Sequence, residues 1–220
     1  MKLSLSTFIP AIAISAALTG VAPAVAGAAF SINFEKAWDY TNGDINGYYG
    51  GGTAADGTTG ASNLGVSFVN VSGLSNDANF TYYRNAPSPL GIAYASGAAF
   101  MNVAAGVENA LRFFYSSESA VLGAVKAYSG LNGSGTLLGT FNAAQTGGSF
   151  SSTLPQTYQF DGWASTTFSF AGTARSFDLS GAADGNVAFD NISAVPEPSS
   201  VLMMLAGGLM VMAQVARRRK

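Results

Sequence analysis

The hydrophobic and polar positions of this chain fall into three different patterns. A long apolar run lies near each end, at residues 8–21 and 201–213, whereas the middle alternates between apolar and polar positions over short stretches. In one such stretch Leu111, Phe113 and Tyr115 share one face, and this period of two is typical of a strand with one buried side. The middle of the chain is therefore expected to fold as a body of β-strands.

Clusters of Gly, Asn, Ser and Pro separate the alternating stretches, and the middle shows no segment of helical period and convincing length. Without alternation of strands and helices, a parallel α/β sheet is not expected. The pattern predicts an all-β fold, an antiparallel two-sheet sandwich of jelly-roll type, as one domain over residues 27–194. The predicted strands, about eleven, are 30–34, 65–71, 79–84, 99–103, 111–115, 121–128, 137–141, 158–161, 166–170, 176–179 and 186–192.

The first apolar run has the layout of a secretory signal peptide. Lys2 supplies a positive charge, the apolar residues 8–21 follow, and Ala24-Val25-Ala26 forms a small-x-small cleavage pattern. A buried core helix is the alternative. The order of charge, apolar run and small residues favours a signal peptide at residues 1–26, cut after Ala26, that delivers the chain to the Sec export machinery.

The second apolar run predicts a transmembrane helix. Residues 199–216 are 18 positions, at the lower edge of what spans about 30 Å of hydrocarbon. Length alone leaves a buried helix possible, but Arg217, Arg218, Arg219 and Lys220 follow directly and hold that end in the cytoplasm. The body is then expected outside the inner membrane, which anchors it transiently.

Pro196, Glu197 and Pro198 stand immediately before this run, in a segment that can be neither mid-helix nor inner strand. The order of Pro-Glu-Pro, apolar run and terminal arginine cluster resembles the PEP-CTERM sorting signal of Gram-negative bacteria that make extracellular polysaccharide. The resemblance covers residues 195–220. It implies that an exosortase recognises the Pro-Glu-Pro motif, that Arg217 to Arg219 form the retention cluster, and that the cleaved body passes to the cell surface or matrix.

Composition excludes several classes of chemistry. The 220 residues contain neither cysteine nor histidine, so a disulfide, a thiolate nucleophile, a Ser-His-Asp triad and a Cys/His zinc site are all ruled out. Between residues 27 and 195, five cationic side chains stand against eleven carboxylates. An acidic body does not suit nucleic acid, and it leaves calcium as the plausible ion.

Two carboxylates are placed where calcium could join the first and last strands. Glu35 ends the first predicted strand, and Asp190 lies in an otherwise apolar last strand, where an unpaired charge would be costly to bury. Either the face of Asp190 is open to water, or a partner satisfies it, and a bridging calcium ion is one such partner.

The same two strands carry a second resemblance. A first strand ending Phe34-Glu35 and a last strand containing Phe189 and Asp190 are similar to the two edges of carbohydrate-binding jelly-roll modules. Such modules commonly hold a structural calcium ion there. By this resemblance Glu35 and Asp190 would be ligands and Asp184 a third, whereas no sugar-contacting residue can be transferred.

Sugar binding also needs exposed aromatic rings, and most rings of a sandwich are core. A glycine-rich stretch, 42–60, is expected to be a long loop with one short strand through Tyr48 and Tyr49, either a binding loop or a mobile loop without function. The candidate rings are Trp38, Tyr48, Tyr49, Tyr82, Tyr83 and Trp163.

These observations favour a non-enzymatic exported protein of the cell surface or extracellular matrix, such as a biofilm matrix, associated with extracellular polysaccharide. The alternative is a calcium-stabilised carbohydrate-binding module. A polysaccharide hydrolase is the third reading, and it is disfavoured because closely spaced acids within one strand do not occur. No catalytic residue is assigned.

Overall fold

The computed structural model describes residues 27–60, 62–75, 83–147, 160–183 and 187–194. Within them the chain forms seven strands, one short 3₁₀ helix at Ser180–Ala182, and no α-helix. The expectation of an all-β body is confirmed. The strands are β1 Phe30–Ile32, β2 Val66–Ser75, β3 Gly91–Ser117, β4 Val121–Tyr128, β5 Leu137–Ala143, β6 Ala164–Asp178 and β7 Val187–Ala194.

All pairings between these strands are antiparallel, as the sequence predicts. Hydrogen bonds connect them in the order β1-β7-β3-β6-β4-β5, with β2 added on the first half of β3. The long β3 strand contributes to both halves of this arrangement, because β7 pairs with it at Ala93–Tyr94 and again at 112–117. The chain thus forms one continuous hydrogen-bonded network, and the division into two jelly-roll layers stays a prediction.

Two pairs of predicted strands are single strands in the structure. The predicted strands 99–103 and 111–115 both lie in β3, and 166–170 and 176–179 both lie mainly in β6. Gly106 and Gly172 lie between them with positive φ of 85° and 87°, next to shifts in the β3–β6 register. These glycines sit in bulges that bend a continuing strand, where the sequence reading expected turns.

The predicted strands 79–84 and 158–161 fall partly outside the described residues. Their described parts, 83–84 and 160–161, are not strand. The predicted hairpin at 124–141 is confirmed by the antiparallel pairing of β4 with β5. In its loop Asn132 and Gly133 adopt positive φ of 51° and 70°, the conformation for which Asn-Gly is suited.

The alternating residues form the core. Leu111, Phe113 and Tyr115 are buried as predicted, and the Phe113 ring meets Phe189 of β7 and Phe141 of β5 edge to face at 5.7 Å and 5.2 Å. Aromatic packing of this kind holds β3 against strands on either side of it in the network.

The glycine-rich stretch is an ordered loop held against β2. Ile45 donates its N–H to the Val71 carbonyl at 3.0 Å, and Phe68 donates to the Asn46 carbonyl at 2.7 Å. Tyr48 and Tyr49 lie in a turn, so the short strand predicted there is not formed. A Cβ atom at Gly60 would lie 1.7 Å from the Tyr48 carbonyl oxygen, and this close approach explains why glycine is needed.

The two terminal signals fall outside the described ranges. They comprise the predicted signal peptide with Ala24 and Ala26, the Pro196-Glu197-Pro198 motif, the predicted transmembrane helix, and the Arg217, Arg218 and Arg219 cluster. In the part of the chain that the structure describes, no helix has both the length and the apolar character needed to cross a membrane.

Candidate functional site

Asp190 is fully buried in β7, and protein hydrogen-bond donors satisfy it. Its carboxylate accepts the Ser88 N–H at 2.7 Å, the Ser88 hydroxyl at 2.6 Å and the Asn191 N–H at 2.7 Å. Burial raises the pKa of Asp190 to about 6, and the neighbouring charge of Glu35 acts in the same direction, against the Ser88 and Asn191 hydrogen bonds. Of the two sequence alternatives, a partner and not open water satisfies this carboxylate.

Glu35 lies just beyond β1 and holds the same segment of chain. Its Oε1 accepts the backbone N–H groups of Leu90 at 2.7 Å and Gly91 at 3.3 Å. Ser88 also lies 2.6 Å from the Asn33 carbonyl. Glu35 and Asp190 therefore both hold the segment 88–91, one from the end of β1 and one from β7.

This geometry does not fit a calcium ion at Asp190. The carboxylate oxygens face N–H and O–H donors, which a cation would have to displace, whereas calcium needs six to eight oxygens turned toward it. No group of three acidic side chains gathers anywhere among the described residues. Asp184, the third ligand implied by the resemblance, lies outside them.

The aromatic candidates divide between core and surface. Trp38 is buried, donates its Nε1–H to the Phe34 carbonyl at 2.9 Å, and has the Lys36 ammonium 4.4 Å from its ring centroid. Tyr83 is buried and stacks on Phe160 at 5.0 Å. Neither ring is open to a sugar. Trp163 is half-buried, with its Nε1–H bonded to the Arg84 carbonyl at 3.0 Å, and Tyr82 lies outside the described residues.

Tyr48 and Tyr49 are half-buried and line a cavity, the tyrosine pocket. Their rings meet edge to face at 5.1 Å, and Tyr49 packs in the same way on the buried Phe34 at 5.8 Å. Burial raises the pKa of Tyr49, so its hydroxyl keeps its proton. The pocket measures about 300 Å³ and is lined by Ser31, Asn33, Glu35, Tyr48, Tyr49, Ser62 and Leu64.

A second cavity, the arginine cleft, lies on the neighbouring strands. It measures about 320 Å³ and centres on Arg112 of β3, which pairs with Thr167 of β6 on one side and Ser193 of β7 on the other. Its lining residues are Arg112, Phe113, Phe114, Ser165, Thr166, Thr167, Asn191 and Ser193.

Strand pairing places residues that line the two cavities next to each other. Ser193 pairs with Ser31 of β1, and Ser31 lines the tyrosine pocket. Residues directly opposite each other in a sheet point to the same side. A polar row, Thr167, Arg112, Ser193 and Ser31, therefore crosses four strands on one face and leads from the cleft to the pocket.

Sequence reasoning named Glu35, Tyr48 and Tyr49 but missed Arg112, Ser193 and Ser31. The alternation around Leu111, Phe113 and Tyr115 predicts a buried apolar face. Its other face carries Arg112 and Phe114, a signal that was present in the sequence. The assembly of the row depends on the β6-β3-β7-β1 order, which the sequence does not show.

Residues 194–220 match the family model described as the PEP-CTERM protein-sorting motif. The resemblance seen in Pro196, Glu197 and Pro198 is confirmed, and the motif implies export, a membrane-anchored precursor and an exosortase as processing partner. No curated protein matches the sequence. Among solved structures, the chain is similar to a glycoside hydrolase family 43 arabinoxylan arabinofuranohydrolase from Bacillus subtilis, in complex with cellotetraose, at 15% identity and a TM-score of 0.34. The likeness covers 60% of this chain and 24% of that one.

Proposed function

We propose that the protein is a non-enzymatic component of the cell surface or extracellular matrix that an exosortase sorts and that associates with extracellular polysaccharide. In this proposal the signal peptide exports the body, and the C-terminal segment holds it in the inner membrane of a Gram-negative cell. The sorting-motif match at residues 194–220 is the observation that carries the proposal.

The junction between body and motif supports this function. β7 ends at Ala194, the residue at which the motif match begins. Because β7 pairs with both β1 and β3, its residues belong to the folded body. A cut near Pro-Glu-Pro would leave these pairings intact and would release a complete body.

The sorting step is tested by replacing Pro196, Glu197 and Pro198 with alanine in the native host. We expect full-length protein to accumulate in the inner membrane fraction, because the exosortase no longer recognises it. A double variant at Ser199 and Ser200 is the matched control, since it changes neighbouring residues outside the Pro-Glu-Pro triplet. Release of the triple variant at the wild-type rate would overturn the proposal.

The absence of catalysis is part of the proposal, and the cavities support it. A glycosidase uses two carboxylates, about 5–5.5 Å or 6.5–9.5 Å apart, on either side of the scissile bond. Among the described lining residues, the tyrosine pocket contains one carboxylate, Glu35, and the arginine cleft contains none. Incubation with extracellular polysaccharide from the host should release no reducing ends, and release that an E35Q variant abolishes would contradict this part.

A second candidate function, a carbohydrate-binding module, is favoured by the tyrosine pocket. Its wall combines half-buried tyrosine rings with the Asn33 amide and Glu35, whose Oε2 has no partner among the described residues. A glycan array probed with the exported protein tests it. Binding that an N33A variant weakens would support the function as a carbohydrate-binding module. If no glycan on the array bound, sugar recognition by this pocket would be contradicted and the matrix role would stand alone.

A further inference from the structure

We propose that the face formed by β6, β3, β7 and β1 binds a carboxylated polysaccharide, with Arg112 pairing with the carboxylate of a uronate unit. This inference rests on the proposed association with extracellular polysaccharide and names the class of polymer. Four features of the described residues support it: the charge of Arg112, the chemistry of its neighbours, the bulge at Asn191 and the length of the polar row.

Arg112 is an exposed cation with no acidic partner among the residues that the structure describes. No described carboxylate lies within salt-bridge distance of it, whereas Lys36 pairs with Asp56. The other described residues that line the arginine cleft are all neutral. On a body with five cationic and eleven acidic side chains, this cleft offers local positive charge to an anionic ligand.

The groups around Arg112 suit a sugar acid. A guanidinium presents parallel N–H donors that match a carboxylate in bidentate geometry. The hydroxyls of Ser165, Thr167 and Ser193 can both donate and accept, as sugar hydroxyls do. The half-buried Phe114 ring adds an apolar surface in the same cleft. One cation among neutral hydroxyls favours a uronate over a nucleic acid, whose binding needs many cations along the phosphates.

A bulge in β7 turns an amide toward the cleft. The register shifts by one residue between the pairs Arg112–Ser193 and Phe114–Asp190, and Asn191 between them adopts a positive φ of 48°. Such bulges re-aim side chains and are frequent next to sites. Asp190 is buried and hydrogen-bonded to Ser88, while the adjacent Asn191 lines the cleft.

The polar row is long enough for a polymer. It crosses four adjacent strands, and a strand spacing of about 4.8 Å makes it roughly 14 Å long between Thr167 and Ser31. Ser31, at the end of the row, also lines the tyrosine pocket. A linear chain lying along the row would place one uronate at Arg112 and a further sugar against Tyr48 and Tyr49.

Affinity electrophoresis of the full-length protein in non-ionic detergent tests the inference. Native gels contain polygalacturonate, alginate or fully methyl-esterified polygalacturonate, which keeps the galacturonate backbone but loses the charge. We expect one or both acidic polymers to retard the wild type, and the esterified polymer to retard it far less. Substitution R112Q should weaken binding by roughly tenfold or more, because it removes a charge-assisted bidentate pair.

R175Q is the matched control, since Arg175 is exposed on β6 but does not line the cleft. It removes the same charge and should leave the retardation unchanged, and an unaltered melting temperature of R112Q shows that its fold is intact. Equal loss in both variants would reduce the effect to net charge and overturn the proposal. So would retardation by neither acid, or equal retardation by the ester. Sorting by the Pro-Glu-Pro motif is measured separately, so failure here would leave the exosortase proposal standing.

Discussion

Asp190 illustrates how one buried carboxylate can connect three parts of the chain. Its partner Ser88 has a single hydroxyl proton but lies 2.6 Å from both Asp190 Oδ1 and the Asn33 carbonyl. When Asp190 is ionised, the Ser88 hydroxyl donates its proton to the carboxylate and not to the Asn33 carbonyl. When Asp190 is protonated, it can donate to Ser88, which then donates to Asn33. Burial favours the protonated form and raises the pKa of Asp190 to about 6, whereas the hydrogen bonds from Ser88 favour the ionised form.

This pKa predicts that the folded body becomes more stable as the pH falls from 7.5 to 5. A carboxyl whose pKa is higher in the folded than in the unfolded chain binds more protons when folded, so its stabilising contribution is lost as pH rises through about 6. We expect the free energy of unfolding in urea to rise by about 1 kcal/mol over this range. Asp56 does not add to this change, because its pKa is lowered to about 2 and its contribution to stability is lost only below about pH 4. The chain contains no histidine, whose ordinary pKa lies in this range.

The control for this pH dependence is D190N, which keeps the shape of the side chain without its titration. Its stability should be nearly flat between pH 5 and 7.5, whatever its absolute value. A D190N variant that keeps the wild-type slope would show that Asp190 is not the group responsible.

Removing the Ser88 hydroxyl should destabilise the body at neutral pH. S88A leaves the ionised Asp190 buried with only backbone donors, and an unsatisfied buried polar group costs about 1–3 kcal/mol. The midpoint of urea unfolding measures the loss. S119A, at an exposed turn position, is the matched control and should be neutral. If S88A were as stable as S119A, the hydrogen bonds of Ser88 would be unimportant for the fold.

At the scale of elements, the glycine-rich loop is positioned by contacts with strand backbone. Trp38 lies directly over Gly73 of β2, where an added Cβ would come within 2.2 Å of the indole ring. The ring also borders Gly91 at the start of β3, at 3.1 Å from such a Cβ. Trp38 in turn packs edge to face on Tyr48 at 5.5 Å. The position of the tyrosine pocket therefore depends on the contact between the Trp38 ring and Gly73.

Substitution G73A should therefore displace Trp38 and destabilise the body by about 1–3 kcal/mol, the usual cost of overpacking a core. Unfolding midpoints measure the loss, and a shift in tryptophan fluorescence should accompany it. G47A in the loop is the control, because a Cβ there makes only ordinary contacts at 3.5 Å and φ is not positive. Equal stability of the two variants would mean that Trp38 can move away at no cost.

The strands were predictable where alternate residues are buried, as Leu111, Phe113 and Tyr115 of β3 show. The bounds of β4 also match its predicted range of 121–128. The lengths of β3 and β6 were not predictable from the sequence. Glycine is frequent in turns, but Gly106 and Gly172 lie in bulges, whose conformation depends on pairing with the neighbouring strand. For the same reason Glu35 and Tyr48 could be named as candidates, whereas Ser88 and Arg112 acquire their roles from residues distant in sequence.

At the scale of the whole molecule, a bound metal ion would contribute to the stability of the folded body. An ion that binds only the folded chain contributes its binding free energy to stability, so removing it lowers the melting temperature. The resemblance to carbohydrate-binding modules predicts such an ion at Glu35, Asp190 and Asp184. The described contacts instead give Asp190 three protein donors, the Ser88 N–H, the Ser88 hydroxyl and the Asn191 N–H, which satisfy its carboxylate without a cation.

We therefore expect a chelator to leave the melting temperature of the exported protein unchanged, and added calcium to leave it unchanged as well. Circular dichroism melts in EDTA and in millimolar calcium measure this, with D190N melted in parallel. A chelator-induced drop in the wild type that D190N lacks would place calcium at Asp190 and show that Ser88 gives way to it. A drop of equal size in both proteins would place the ion away from Asp190, because loss of that carboxylate would not have changed the affinity.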